Sequence, residues 1–210
     1  MGKIFYIMGK SASGKDTLYE GLLSRNELGL RPLIMYTTRP IRAKETDGIQ
    51  YHFVTMEELD RLRRAGKVIE LRSYDTVQGI WYYFTADSEA VDLEHFSYLA
   101  LGTLVSYEKI RDYYGAERVV PLYIEVNDRL RLERSMKREG KQPVPDYSEM
   151  CRRFLADQED FSEENVVQVG ITKRFLNDGD REICLEKIAE YIRSELSWGE
   201  NAEFSRMDMH

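Results

Sequence analysis

The stretch Gly9-Lys10-Ser11-Ala12-Ser13-Gly14-Lys15-Asp16-Thr17 follows the strand-like residues 3–8 and opens a segment whose leucines recur at helical spacing. Its spacing is G-x-x-x-x-G-K, the phosphate-loop pattern, in the strand–loop–helix context that this pattern requires. Backbone N–H groups of such a loop point inward and cradle phosphate oxygens. The helix N-terminus adds roughly half a positive charge. The stretch predicts a nucleoside triphosphate site, against the alternative of a glycine-rich turn that only joins strand to helix.

Within this loop, Lys15 is the predicted catalytic cation, because a lysine at this position reaches the β- and γ-phosphates. The ATP-binding backbone is assigned to Gly9, Ser11, Ala12, Ser13 and Gly14. The next residue is usually Ser or Thr, whose hydroxyl binds Mg²⁺, but here it is Asp16. Mg²⁺ favours carboxylate oxygen, so we expect Asp16 to bind the metal, with Thr17 as a substitute. The alternative is that Asp16 serves only as a negative charge at a helix N-terminus.

The composition limits the function classes that the chain can serve. Of its 210 residues, 42% are hydrophobic and 32% are charged, and the net charge is -7. One compact domain with small inserted lobes is expected, and a protein that coats nucleic acid would usually be basic. The two cysteines, Cys151 and Cys184, form neither a metal-ligand cluster nor a disulfide framework. With no signal-like or membrane-spanning segment, we expect a cytoplasmic protein with no membrane or nucleic-acid partner.

Strand-like and helix-like segments alternate along the chain, which predicts a parallel sheet with helices on both faces. The predicted fold class is α/β, a P-loop three-layer α/β/α core with a small inserted mixed β/α lobe and a helical lid. The core is assigned to residues 1–37, 89–126 and 163–197, the lobe to 38–88, the lid to 127–162 and a loose tail to 198–210. Residues 32–37 are expected to form one strand, and 181–196 the last helix.

A second constellation lies in residues 37–53, where two arginines three residues apart precede an acid, a glycine, a tyrosine and a phenylalanine. Guanidinium groups match phosphate oxygens in bidentate fashion, so Arg39 and Arg42 are expected to hold a monophosphate. The Tyr51 hydroxyl adds a donor, and Glu45 can orient the arginines. The alternative is that the arginines are a solvated surface pair.

At this point the sequence resembles the guanylate kinase family, whose pattern T-T-R-x-x-R-x-x-E-x-x-G-x-x-Y-x-F is met at residues 37–53. The resemblance extends over about residues 3–196. It implies a phosphotransferase that uses ATP and Mg²⁺ and accepts GMP or dGMP. It also implies a GMP-binding set, in which Arg39 is also catalytic, made of Arg39, Arg42, Glu45, Tyr51, Glu70, Tyr83 and Thr85.

Within that set, the resemblance gives Glu70 the hydrogen bonds from guanine N1–H and its amino group, and gives Thr85 a contact with the base. A buried acid that reads two donors rejects adenine, which presents the opposite pattern on that edge. The alternative is that Glu70 is an exposed acid on the wet face of a strand. Trp81 and Phe84 are expected to pack in the lobe, and Tyr83 is expected to contact ligand.

The lid carries Arg134 and Arg138, which are four residues apart and so share one helix face, and Arg153 follows after a Gly/Pro break. The resemblance makes these three arginines catalytic, stabilising the transferred phosphoryl group as the lid closes and excludes water. It also places Asn177 near adenine, as an ATP-binding residue. The alternative is a solvated helix with i,i+4 pairs.

The chain departs from the family pattern at its acceptor end. The family's D-x-D-x-Q-G stretch corresponds here to residues 99–104, which contain no aspartate, Met35 stands where Ser is common, and Phe84 stands where the family has Gly. These departures leave two alternatives, a related kinase of another phosphorylated acceptor such as ribose bisphosphate, or an inactive module that binds proteins. Lys15 and the intact loop glycines speak against the inactive module. The sequence does not indicate an oligomeric state.

Overall fold

The computed structural model describes residues 1–42, 45–76, 79–87 and 91–207, with side chains for all of these except residue 76 and residues 198–207. In chain order the strands are β1 Ile4–Met8, β2 Leu30–Pro32, β3 Tyr36–Thr37, β4 His52–Phe53, β5 Val68–Thr76, β6 Gly79–Ala86, β7 Ser97–Gly102, β8 Val119–Glu125 and β9 Arg174–Leu176. The helices are α1 Lys15–Leu23, α2 Met56–Arg64, α3 Leu104–Tyr114, α4 Asp128–Glu139, α5 Tyr147–Asp160, α6 Glu163–Gln168 and α7 Arg181–Met207, with a short 3-10 helix over Asn26–Leu28.

The core sheet has five strands in the order β2-β7-β1-β8-β9, and each neighbouring pair is parallel. All five residues of the central strand β1 are buried. A central parallel strand is covered on both faces, and this explains why its sequence is continuously apolar. Pro121 of β8 is accommodated opposite Tyr6 without breaking the pairing register.

Helices cover both faces of this sheet, which confirms the three-layer α/β prediction. On one face, α1 and α7 contribute Leu18, Leu22, Ile188 and Ile192 to a single apolar cluster. On the other face, α3 and α6 contribute Leu104, Ile110 and Val166 to a second cluster. The carboxyl ends of β1, β7 and β8 meet at one edge, where ligands bind in sheets of this kind.

The inserted lobe is a mixed sheet in the order β4-β3-β6-β5, with α2 packed on one face. Leu59 and Leu62 of α2 pack against Phe84 and Leu71. The Thr55 side chain caps α2 by accepting a hydrogen bond from the Glu58 N–H. Because side chains alternate along a strand, residues 70, 72, 83 and 85 are left on the face turned away from α2.

The single strand predicted over residues 32–37 is wrong, because the chain changes sheets within it. Pro32 pairs with Leu99 in the core sheet, whereas Tyr36 pairs with Phe84 in the lobe sheet. The lobe sheet therefore begins at Tyr36, two residues before the predicted lobe boundary. An apolar run is compatible with a buried strand but does not say which sheet it joins.

Two helical segments also differ from the prediction. Helix α6, capped by the Ser162 hydroxyl, was not anticipated, because six residues are too few to show a helical period. Helix α7 continues to Met207, so residues 198–207 are helical where a loose tail was expected. Residues 208–210, residues 43–44, 77–78 and 88 of the predicted lobe, and residues 89–90 of the predicted core lie outside the described residues. Within the described part of the chain, every helix is too short or too polar to cross a membrane.

Candidate active site

The phosphate loop runs from the end of β1 to the start of α1. Gly14 is the N-cap of α1 and has a φ of 85°, a left-handed conformation that glycine adopts without steric cost. A Cβ built there would lie 2.6 Å from the Asn177 amide nitrogen, so close packing also requires glycine. Ala12 is left-handed as well, with a φ of 61°. Left-handed residues within a turn of this kind direct backbone N–H groups toward one concave surface, as anion binding requires.

The Lys15 side chain keeps 21% of its surface exposed, and its Nζ lies 3.7 Å from the Asp16 carboxylate. Asp16 is 73% exposed and sits in the first turn of α1, so its oxygens are open to a cation. The described residues contain no group of three acidic, histidine or cysteine side chains that could form a metal cage. This donor set fits Mg²⁺, which proteins usually hold by one or two carboxylates together with substrate phosphates. Thr17 is also exposed, but it lies about 100° around the helix from Asp16.

Two of the three predicted lid arginines contact the phosphate loop. Arg134 of α4 donates to the Ala12 carbonyl at 3.5 Å and to the Asn177 carbonyl at 2.9 Å. Arg153 of α5 donates to the Ser11 hydroxyl at 3.4 Å. Arg138 is exposed and lines a small cleft that also contains Ser11 and Arg153. On α4 the i,i+4 ion pair joins Arg129 to Glu133. Glu133 is therefore paired with Arg129 and not with either of the predicted lid arginines of this helix.

The most buried arginine of the lid, Arg131, is absent from the predicted site. Its side chain is 0% exposed and pairs with Asp157 at 3.1 Å and Asp128 at 2.7 Å. It also donates to the Ser11 carbonyl at 3.1 Å and lies over the Phe154 ring. Position 131 precedes Arg134 and Arg138 on the same arginine-rich helix, but the sequence does not show which of these guanidinium groups is buried.

An open cleft of about 300 Å³ separates the phosphate loop from helix α5. It is lined by Gly9, Ser11 and Lys15 from the loop, by Gly102 and Thr103 from the end of β7, and by Arg153 and Asp157 from the lid. The structure therefore brings the predicted loop lysine and one predicted lid arginine to a single cavity. A second cleft of about 310 Å³ lies at the carboxyl ends of β8 and β9 and reaches the loop at Lys10.

Asn177, predicted to lie near adenine, is buried against the back of the phosphate loop. Its amide nitrogen donates to the Ser13 carbonyl at 2.8 Å. Its side-chain oxygen has no hydrogen-bond partner among the described groups, and neither does the buried Ser13 hydroxyl. In this conformation the Asn177 side chain stabilises the phosphate loop through its hydrogen bond to Ser13.

In the lobe, Arg39 and Glu45 form a bidentate ion pair with N–O distances of 2.9 and 2.8 Å. The Arg39 side chain is 3% exposed, which excludes the alternative of a solvated surface arginine at this position. Hydrogen bonds from Arg39, joined by the Arg42 backbone N–H, hold the pKa of Glu45 at about 2. Arg39 also donates from Nε to the Tyr83 hydroxyl at 3.1 Å. That hydroxyl accepts from Arg39, so its own proton is free to point toward a ligand.

The remaining phosphate candidates surround this pair. The Tyr51 ring is edge-on to Tyr83 at 5.5 Å, and Arg39 lies over it at 5.7 Å. Arg42 is exposed, with its side chain free to reach an anion. Glu45 therefore positions Arg39 as expected, and it contacts Arg42 through the backbone only, at 2.8 Å.

Glu70 and Thr85 lie opposite each other on β5 and β6, where a bulge follows Val68. The Glu70 side chain is 4% exposed, which excludes the alternative of a solvated strand acid. Thr85 donates to Glu70 at 3.1 Å. A residue that was not anticipated, Arg72, binds both Glu70 oxygens, at 3.0 and 3.2 Å. The i,i+2 spacing of these two residues on one strand face is the signal from which the pair could have been found.

The β7 stretch that lacks the family's aspartates ends in Gly102, where β7 comes close to Tyr6 of β1. A Cβ built on Gly102 would lie 2.0 Å from the Tyr6 hydroxyl, so only glycine fits there. Tyr6 donates to the Ser106 hydroxyl at 2.7 Å. Burial raises the pKa of Tyr6 above its usual range, and the charges of Glu70 and Arg72 also act on it. Tyr6 belongs to the core cluster against which Ile69, the residue before Glu70, packs.

The predicted residues thus form two groups, a loop-and-lid group around Lys15 and a lobe group from Arg39 to Glu70. Within the described ranges, no hydrogen bond or ion pair joins the two groups. A phosphate loop, an inserted acceptor lobe and a helical lid together define a phosphotransferase of the nucleoside monophosphate kinase type.

The comparisons narrow this class. The family model described as guanylate kinase matches residues 1–91. A guanylate kinase of Cupriavidus metallidurans is 32% identical over 162 residues, which cover 74% of this chain and 68% of that protein. One of Porphyromonas gingivalis is 28% identical over 195 residues, covering 91% and 97% respectively. Other guanylate kinases match at higher identity, but over only 30–46% of their own length.

The crystal structure of a guanylate kinase from Anaplasma phagocytophilum has a TM-score of 0.59 against this chain and covers 92% of it and 86% of that chain. At 23% sequence identity this likeness shows the fold alone. The sequence relatives show the family. The chain belongs to the guanylate kinase family.

Proposed function

We propose that this enzyme transfers the γ-phosphate of ATP to GMP or dGMP, giving ADP and the nucleoside diphosphate. The observation that carries the proposal is that Tyr83, beside the buried Arg39, and Glu70 share one face of the lobe sheet. Successive same-face residues on a strand lie about 7 Å apart. One nucleotide can therefore place its phosphate near Tyr83 and its base near Glu70.

ATP is assigned to the phosphate loop. Its γ-phosphate would meet Lys15 in the cleft of about 300 Å³, facing Arg153 of the lid. The second cleft, which reaches the loop at Lys10, is the candidate for the nucleoside end of ATP. In this assignment Asn177 supports ATP binding indirectly, by holding the Ser13–Gly14 backbone in its phosphate-binding conformation.

The transfer is a direct in-line displacement. An oxygen of the acceptor phosphate attacks the γ-phosphorus, the bond from the γ-phosphorus to the bridging oxygen breaks, and ADP leaves with that electron pair. No covalent enzyme intermediate forms. Lys15 and Arg153 offset the charge that spreads over the equatorial oxygens. Arg134 and Arg138 act with the closing lid, which keeps water from taking the phosphoryl group.

Mg²⁺ bound with ATP would neutralise charge on the β- and γ-oxygens. Asp16 is the residue of this chain best placed to hold the ion, because its carboxylate is exposed at the start of α1. Lys15 lies 3.7 Å from that carboxylate and limits its negative charge beside the triphosphate.

Arg72 also favours a second candidate, a sugar bisphosphate as the acceptor. It adds a cation to the end of the pocket that the resemblance assigns to a base. A second phosphate would pair with that guanidinium.

The test is ADP release from ATP and Mg²⁺ with GMP, dGMP, AMP, UMP, CMP and ribose bisphosphate as acceptors. A rate of ADP release with GMP and dGMP that is well above the rate with AMP, UMP and CMP supports the proposal. Turnover with ribose bisphosphate alone would keep the phosphotransferase and replace the acceptor. A folded protein that binds ATP and phosphorylates none of them would contradict the proposed function.

A further inference from the structure

The backbone of Ser11, in the phosphate loop, is bound on both sides of its α-carbon by side chains of the lid. Its N–H donates to the Asp157 carboxylate at 2.7 Å, and its carbonyl accepts from Arg131 Nε at 3.1 Å. Arg131 Nη2 then donates at 3.1 Å to the same Asp157 oxygen. The Arg131–Asp157 pair therefore binds both backbone polar groups of one loop residue.

The Arg131 side chain is enclosed and cannot reach a ligand. It is 0% exposed, its third guanidinium nitrogen binds Asp128 at 2.7 Å, and its guanidinium lies over the Phe154 ring. Asp157 lines the cleft that also contains Lys15, and the adjacent Arg131 charge offsets its own. Any contribution of Arg131 to the reaction must therefore act through the phosphate loop.

The next two carbonyl groups of the loop are bound in the same way. The Ala12 carbonyl accepts from Arg134 at 3.5 Å, and the Ser13 carbonyl accepts from the Asn177 amide at 2.8 Å. With Ser11, three successive carbonyl groups are bound by side chains from α4 and from the residues after β9. These side chains fix the orientation of the peptide groups along the loop.

A bound carbonyl also fixes the N–H group that follows it. The peptide group is planar and trans, so the C=O of one residue and the N–H of the next point in opposite directions. The bond from Arg131 to the Ser11 carbonyl therefore turns the Ala12 N–H away from the Arg131 side chain. The Ala12 N–H has no hydrogen-bond partner among the described residues. A free N–H group in such a loop is a donor for phosphate oxygens.

The conformation of Ala12 indicates that this orientation is imposed on the loop. Its φ is 61°, a left-handed value that a residue with a Cβ adopts at a cost. Such a conformation persists only where the surrounding structure holds it. Arg131 binds the peptide group before Ala12 and Arg134 binds the one after it, so the two arginines of α4 supply that hold.

We propose that the Arg131–Asp157 pair positions the phosphate loop for ATP: by binding both backbone groups of Ser11, it keeps the Ala12 N–H directed at the triphosphate. Arg131 and Asp157 are then positioning residues, since they act through Ser11. Arg131 lies in the first turn of α4 and Asp157 in the last turn of α5, the ends at which the lid joins the core. The inference rests on the proposed function, because it takes ATP to be the ligand of this loop.

The double variant Arg131→Leu/Asp157→Ala separates positioning from stabilisation. Replacing a buried ion pair by apolar side chains is often neutral for stability, so its midpoint of urea unfolding should stay close to that of the unaltered protein. Both partners of the Ser11 backbone are lost, however. The Kd for ATP with Mg²⁺, measured by calorimetric titration, should therefore rise by about 10-fold or more.

Asp157→Asn should have the opposite effect. The amide keeps an oxygen that accepts from the Ser11 N–H, so the Kd for ATP should stay within about 3-fold of that of the unaltered protein. The charge is lost, and Arg131 stays buried with Asp128 as its remaining ionic partner, so the urea midpoint should fall. The matched control is Arg129→Leu, on the same helix and 90% exposed, which should change neither quantity.

A purely structural role would make ATP affinity follow stability across these variants. The inference is overturned, and the proposed function stands, if the folded double variant binds ATP within about 3-fold of the unaltered protein, or if Asp157→Asn loses affinity together with stability. If the double variant does not fold, Asp157→Asn is compared with Asp157→Ala. Affinity kept by the first and lost by the second supports the inference, and equal affinity of the two overturns it. An unaltered protein that does not bind ATP would overturn the proposed function and this inference with it.

Discussion

The Asp157 carboxylate accepts a 2.7 Å hydrogen bond from the Ser11 backbone N–H, so an acid of the lid is bound to the phosphate loop. The same oxygen accepts from the buried Arg131 at 3.1 Å. Lys10 and Gln158 add a further bond between loop and lid. In this conformation a charged network holds the lid helices against the loop.

Asp157→Ala should lower the free energy of unfolding. Arg131 is fully buried and would keep only Asp128 as an ionic partner, and breaking a buried pair costs about 3 kcal/mol. Urea unfolding followed by circular dichroism measures the loss. Glu159→Ala on the exposed side of α5 is the control and should change little. Equal stability of the two variants would mean that the network does not stabilise the lid.

Lys15→Met should lower kcat by about 10²–10³-fold, the usual cost of removing one charge-stabilising donor from a transition state. Its side chain is partly exposed, so the melting temperature should stay close to that of the unaltered protein. Lys109→Met, on the exposed side of α3, removes a lysine away from the cleft and should retain full activity. Comparable activity of the two variants would remove Lys15 from the mechanism.

The ion pair of Glu45 with Arg39 should make the stability of the protein depend on pH. Hydrogen bonds from Arg39 lower the pKa of Glu45 from an ordinary 4.5 to about 2. A depressed acid pKa stabilises the folded state fully above the ordinary value, and this contribution is lost as the pH falls from about 4.5 toward 2. The difference in melting temperature between the unaltered protein and Glu45→Gln should be constant from pH 8 to 5 and shrink below that. A difference that stays constant down to pH 3 would contradict the ion pair.

Gly14→Ala should abolish ATP binding. The new methyl group would meet the Asn177 amide at 2.6 Å, at a φ of 85° that L-residues rarely adopt. Gly29→Ala is a matched control, because Gly29 is also left-handed, at 61°, but has no atoms within 4 Å of the added Cβ. The control separates backbone strain, about 1–2 kcal/mol, from the clash. Calorimetric titration with ATP should detect binding to the Gly29 variant only, and binding to both would argue against the packing requirement.

Much of the core could be predicted from the sequence, because its signals are local. The loop motif specifies its own strand–loop–helix context, and the alternation of strands and helices predicts a parallel sheet. The prediction of one strand over residues 32–37 was wrong, because the sheet that a strand joins depends on partners distant in sequence. These partners are Leu99 for Pro32 and Phe84 for Tyr36.

In the site, too, contacts between residues close in sequence could be predicted and contacts between distant residues could not. Arg39 and Glu45 lie close in sequence, and their contact was expected. Arg131 and Asp157 are 26 residues apart on two helices, and no local pattern pairs them. Glu70 and Arg72 are close in sequence, but the burial of the Glu70 side chain within the lobe is a tertiary property that the sequence does not show.

A single-turnover experiment with ATP labelled in the γ-phosphate distinguishes direct transfer to a nucleoside monophosphate from hydrolysis and from a covalent enzyme intermediate. With excess enzyme and GMP, we expect the label to pass to GDP, with none retained on protein and little released as inorganic phosphate. Label appearing only as inorganic phosphate, or trapped covalently on the protein before GDP forms, would contradict direct transfer.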